Sequence, residues 1–113
     1  MSKTTIQINF SYSMSKAELE AVNNQAAKPI AQVEGLLWKI FLIDEAKKRA
    51  GGLYLFENIS AAQAYVNGPI IGGLRSHPAV SNVSVIYSGI FEDPSRITRA
   101  PIEIEVAEGA AVA

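Results

Sequence analysis

A chain of 113 residues, 49% hydrophobic and 19% charged, has the size and composition of one globular domain. Its formal net charge is -1 and its only short basic run is Lys47-Lys48-Arg49, so no nucleic-acid partner is expected. Cysteine is absent, which excludes disulfides, thiolate metal sites and a cysteine nucleophile; with one histidine, no metal is expected.

No stretch is apolar for long enough to span a bilayer. Met1-Ser2-Lys3-Thr4 leads into an alternating segment without an apolar run of signal-peptide type. The expectation is a cytoplasmic protein with no membrane partner.

Residues 5–12 alternate, with Ile6, Ile8, Phe10 and Tyr12 on one face and Thr5, Gln7, Asn9 and Ser11 on the other, which predicts a strand. Ser15 and Glu18 have capping-box spacing, and Leu19, Val22, Ala26, Ile30 and Val33 form an apolar helical stripe. Pro29 should kink that helix or split it near Ala27, and Gly35 suits a left-handed cap. Residues 36–43 are nearly all apolar, as in a strand covered on both faces. A charged loop from Asp44 to Ala50 leads to Gly51-Gly52, which opens a strand over Leu53–Phe56.

Ser60 and Gln63 have the spacing of a second capping box, followed by a helix through Ala61, Ala64 and Tyr65. The helix weakens at Asn67-Gly68-Pro69, and Ile70, Ile71 and Leu74 suit a further turn before His77-Pro78. Residues 82–91 read as a fourth strand, with Val83, Val85 and Tyr87 on one face and Ser84, Ile86 and Ser88 on the other. Glu92-Asp93 read as a solvated strand exit. Ile102, Ile104 and Val106 alternate with glutamates, which suggests a short edge strand before a frayed end. The expected organisation is one domain over residues 1–100 and an extension over residues 101–113.

The order β-α-β-β-α-β is the ferredoxin-like α+β arrangement, an antiparallel four-stranded sheet with both helices on one side. Its outer face would mix Gln7, Asn9 and Ser84 with apolar residues of the second strand and Ile86. A second copy of the chain is the expected cover, giving a homodimer with a small-molecule cavity.

The runs Gly35-Leu36-Leu37-Trp38-Lys39-Ile40-Phe41 and Gly51-Gly52-Leu53-Tyr54-Leu55-Phe56, followed by Ala62 to Tyr65, resemble the YdhR family of monooxygenase-type proteins. Gln7, Lys28-Pro29 and Ile90-Phe91-Glu92-Asp93-Pro94 extend the resemblance over roughly residues 5–100. It implies a dimeric α+β barrel similar to the antibiotic-biosynthesis monooxygenases, which oxidise phenolic or anthrone-like compounds with O2 and no metal or flavin. This sequence departs from the family in a first helix about one turn shorter, in Asn9 where a histidine is expected, and in the tail after Pro101.

Cofactor-independent oxygenation requires a substrate anion, a proton acceptor and a dry, anion-stabilising pocket. Lys39, His77 and Asn9 are the candidates for charge and proton handling. Trp38, Tyr54, Gln7, Phe56 and Tyr65 are the candidates for substrate binding, with Trp38 and Tyr54 holding the ring. Each has a plainer reading: the aromatics fill the core, Lys39 lays its stem on apolar surface, and His77 is a turn residue. Gln7, Asn9 and Ser84 satisfy one another across strands. Histidine is the residue type whose ordinary pKa lies nearest neutrality, which makes His77 the natural general base. Two other functions fit such a pocket: an isomerase or lyase working by proton transfer, and a non-catalytic dimeric binding or stress-response module.

Overall fold

The alternation over residues 5–12 becomes strand β1 (Thr4–Tyr12), and its apolar set, Ile6, Ile8, Phe10 and Tyr12, is buried. In the computed structural model, which describes residues 2–104, the remaining elements are α1 (Lys16–Ala31), β2 (Leu36–Asp44), β3 (Arg49–Phe56), α2 (Ile59–Val66), α3 (Pro69–Ser76), β4 (Val80–Ser88) and α4 (Glu92–Ile97). The strands form one antiparallel sheet in the order β2-β3-β1-β4. This is the expected ferredoxin-like α+β fold. Ile6, Ile8, Tyr54 and Phe56 pack under Ala62, Tyr65 and Ile71, while Phe10, Tyr12, Leu19 and Ala50 form a smaller cluster at the other end.

Both halves of the first capping box are made: the Ser15 hydroxyl accepts from the Glu18 N–H, and the Glu18 carboxylate accepts from the Ser15 N–H, each at 3.1 Å. Pro29 does not split α1, which runs unbroken to Ala31. Its missing N–H falls in the last turn, where it forfeits one backbone bond. The second helix is capped by Asn58, not Ser60: the Asn58 side-chain oxygen accepts from the Ala61 N–H at 2.9 Å. Asparagine is a preferred cap, and its position starts the helix earlier.

β3 begins at Arg49, ahead of the two glycines, because the loop tightens into a turn in which the Lys48 N–H donates to the Glu45 carbonyl at 3.2 Å. The strand exit is also more ordered than its composition suggests. Glu92 and Asp93 open helix α4, and Arg96 bonds Glu92 at 2.7 Å and Asp93 at 3.2 Å one turn back. Arg96 also bonds Glu103. Residues 101–104 lie in bends, not in a strand, with Ile102 buried. The rest of the expected edge strand and the chain end lie outside the described residues. No helix among the described residues is long and apolar enough to cross a membrane.

Gly35 joins α1 to β2 with φ +83°, and a Cβ there would stand 2.5 Å from the Ala61 Cβ. The left-handed backbone and the close approach of α2 both call for glycine. Gly35→Ala should therefore lower the unfolding free energy by more than about 1 kcal/mol in urea titration, and Gly72→Ala, which meets nothing within 4 Å, serves as the tolerant control.

Candidate functional site

Period two decides which side chains of the sheet can meet. Register pairs Lys39 with Tyr54 and Phe41 with Gly52 on the helix-covered face, beside Ile6 and Ile8 of β1. Trp38 pairs with Leu55 on the opposite face, which also carries Gln7 and Asn9.

On the covered face a cavity of about 170 Å³ lies between the sheet and the helices. Its walls are mostly apolar, with Ile8, Phe41, Ile71 and Leu74 among them, and its polar groups are Lys39, Tyr54, Tyr65, His77 and Asn23. A benzene-sized guest occupies roughly 150 Å³, so this space suits one ring. A shallower depression between α1 and β2 shares Leu19, Asn23 and Phe41 with the cavity, which puts Phe41 between the two spaces.

Lys39 is the main charge of this cavity. Its amine lies 3.7 Å from the centre of the Phe41 ring and 4.6 Å from that of Tyr54. Gly52 makes this path available: a Cβ on Gly52 would stand 2.5 Å from the Lys39 Cε. No carboxylate lines the cavity, and Lys39 makes no ion pair among the described residues. The ring faces attract an ammonium by about 0.5–2 kcal/mol. Loss of water outweighs them, and burial lowers the Lys39 pKa from 10.5 to about 7.

Tyr54 and Tyr65 share a buried hydroxyl–hydroxyl hydrogen bond of 3.1 Å. Burial raises the pKa of both phenols, and for Tyr54 the neighbouring Tyr65 raises it further. Both therefore stay neutral, and the pair spends one of its two hydroxyl hydrogens internally. Phe56 is fully buried behind them, with ring centres 6.1 Å from Tyr54 and 5.6 Å from Tyr65. It braces the tyrosines and does not line the cavity. The His77 Nδ1 accepts from the Ala79 N–H at 3.0 Å, so its neutral ring carries the hydrogen on Nε2 and presents a donor. Arg75 is exposed in the last turn of α3 and lies outside the cavity lining.

The structure thus brings Lys39, Tyr54, Tyr65 and His77 into one cavity and sets Trp38, Gln7 and Asn9 across the sheet from them. Trp38 and Tyr54 do not face a common ring within one chain. The Trp38 indole N–H donates to the Pro101 carbonyl at 2.9 Å, and the Gln7 amide donates to the Asn9 side-chain oxygen at 3.2 Å. Gly52, Phe41 and Asn23 are additions to the candidate residues named from sequence. Each had a signal: a glycine inside a strand marks close approach, Phe41 lies two residues from Lys39 on the same strand face, and Asn23 lies one helical turn from Leu19.

A four-stranded ferredoxin-like sheet with a small, largely apolar cavity under its helices defines an α+β domain with room for a small ligand. The chain belongs to the family described as "Putative mono-oxygenase ydhR", which matches residues 5–101. Solved structures share the fold. SnoaB, a cofactor-independent oxygenase from Streptomyces nogalater, has 16% identity and a TM-score of 0.62 over 78% of this chain and 92% of that one. A "putative antibiotic biosynthesis monooxygenase" from Deinococcus radiodurans has 17% identity and a TM-score of 0.63 over 79% and 93%. The haem-degrader MhuD from Mycobacterium tuberculosis has 23% identity and a TM-score of 0.60 over 79% and 97%. None of the curated proteins compared matches the chain.

Because the folded pKa of Lys39 lies below its unfolded value, the unfolded chain binds the extra proton between about pH 7 and about pH 10.5, and stability rises with pH across that window. Below it, the folded state bears the full cost of a buried ammonium. Relative to Lys39→Met, the natural protein should gain about 1–3 kcal/mol of unfolding free energy between about pH 6 and about pH 9, measured by urea titration. A constant difference between the two proteins would mean that the amine is solvated.

Proposed function

We propose that this protein is a cofactor-independent monooxygenase that oxidises a small, single-ring phenol with O2 and works as a homodimer. The observation that carries this reading is an amine with no counter-ion among the described residues, held in an apolar cavity of about 170 Å³ beside two neutral tyrosine hydroxyls. Membership of a mono-oxygenase family and a fold shared with a cofactor-independent oxygenase support it.

Neutral Lys39 takes the phenolic proton, and the resulting ammonium stays beside the phenolate it has made. One hydroxyl hydrogen of the Tyr54–Tyr65 pair, and the Nε2–H of His77, are donors for substrate oxygens. The electron-rich ring then reduces O2 directly. A ring C–H becomes C–OH and the two hydroxyls of the ring become carbonyls; one oxygen atom enters the product and the other leaves as water, so hydroquinone and O2 give hydroxybenzoquinone and water with no outside reductant. The cavity is too small for a tetrapyrrole, so the haem chemistry of MhuD is not carried over.

The dimer would cover the outer face of the sheet. Ile40 is 50% exposed there and Ile86 54%, on either side of Gln7. Sedimentation should give the mass of two chains, and Ile40→Glu combined with Ile86→Lys should give one.

With electron-rich single-ring hydroquinones in metal-free buffer, the protein should accelerate oxygen uptake and place one atom of isotopically labelled O2 in the product. The rate should rise with pH through about 7. Lys39→Met should lower it by roughly 10²–10⁴-fold. Exchange of substrate protons with solvent without oxygen uptake would replace this reading by a proton-transfer isomerase or lyase.

A further inference from the structure

We propose that Lys39 is also a covalent capture site for small aromatic aldehydes, which it binds as an imine inside the cavity. This inference stands on the geometry around the amine and not on the oxygenase reading.

Imine formation needs an unprotonated amine, a fixed position for it, room for a carbonyl compound beside it and a dry surrounding. Lys39 meets each requirement. No carboxylate of the cavity lining holds its proton, and burial pushes the amine toward its neutral form. Its stem crosses the gap left by the missing Gly52 side chain, and its amine lies against the Phe41 and Tyr54 rings at the edge of a space for one ring. The apolar walls keep bulk water from reversing the condensation. By contrast, Lys16, Lys28, Lys47 and Lys48 are exposed and lie outside the cavity lining.

The step balances without an oxidant or reductant. The amine nitrogen attacks the carbonyl carbon and forms the C–N bond, while the carbonyl oxygen takes a proton and becomes a hydroxyl. The carbinolamine then breaks its C–O bond: the hydroxyl leaves as water with a second proton, the nitrogen gives up its remaining hydrogen, and a C=N bond is left. The hydroxyl pair of Tyr54 and Tyr65, together with the Nε2–H of His77, supplies donors in the same wall for the departing oxygen. The class of ligand is a single-ring aldehyde, set by the cavity volume of about 170 Å³.

The test uses the full chain with benzaldehyde and cyanoborohydride, near neutral pH and without oxygen. Cyanoborohydride reduces an imine to a stable amine, so each capture leaves a benzyl group that mass spectrometry can locate. The expected result is one dominant adduct, on Lys39, forming at least about 10-fold faster than on exposed Lys16. Phenol, which competes for the cavity, should slow labelling of Lys39 and not of Lys16. Gly52→Ala, checked as folded by circular dichroism, should slow Lys39 labelling by about 10-fold by displacing its stem. Labelling spread evenly over the lysines, or a folded protein with Lys39 unlabelled, would overturn the proposal. Because oxygen is absent, either result leaves the oxygenase reading to its own test.

Discussion

A β-strand must turn successive side chains to opposite faces, and here the two faces meet different surroundings. The helices seal one face into a core with a small cavity, while the other keeps isoleucines in contact with solvent. Neighbouring residues in the chain thereby enter different chemistry. Trp38 and Lys39 are adjacent, yet one donates its indole hydrogen to the Pro101 carbonyl on the outer side and the other lies against aromatic rings on the inner side.

The inner face carries the costliest feature of the fold. A lysine with no carboxylate partner among the described residues loses water and gains ring faces in return, an exchange that shifts it toward the neutral amine. Gly52 gives up its own packing so that the lysine stem can pass. A cavity here also costs stability, since an empty space forfeits contacts that a filled core would make. An amine whose pKa burial lowers to about 7, two phenols that remain protonated and room for one ring occur together in this space. The proposed chemistry on a small phenol or aldehyde rests on that conjunction.

The outer face follows a different logic. Ile40, Leu42 and Ile86 leave apolar surface open, and Gln7 and Asn9 bond each other among them. At one end, the segment after α4 crosses toward β2: its Pro101 carbonyl takes the Trp38 indole hydrogen, and Ile102 is buried. The same chain thus covers part of its own outer surface with the first residues of the extension, whose alternation in sequence suggests an edge strand.

Much of this architecture was readable from residue order. Alternation in residues 5–12, the Ser15–Glu18 capping pair, the glycine at position 35 and the apolar run from Leu36 locate the strands and the first helix by local rules of backbone geometry, which need no distant partner. Local rules erred where two signals competed, as with Asn58 against Ser60 for the second cap, or where a helix depended on ion pairs one turn apart, as at Glu92, Asp93 and Arg96. Strand alternation by itself also puts Lys39 and Trp38 on opposite faces. Only the tertiary structure decided that Lys39 shares a cavity with Tyr65 and His77, that Gly52 is the gap its stem occupies, and that His77 spends its acceptor nitrogen on a backbone N–H. Those facts depend on groups brought together from separate strands, helices and loops, and spacing along a chain holds no record of the distances between them.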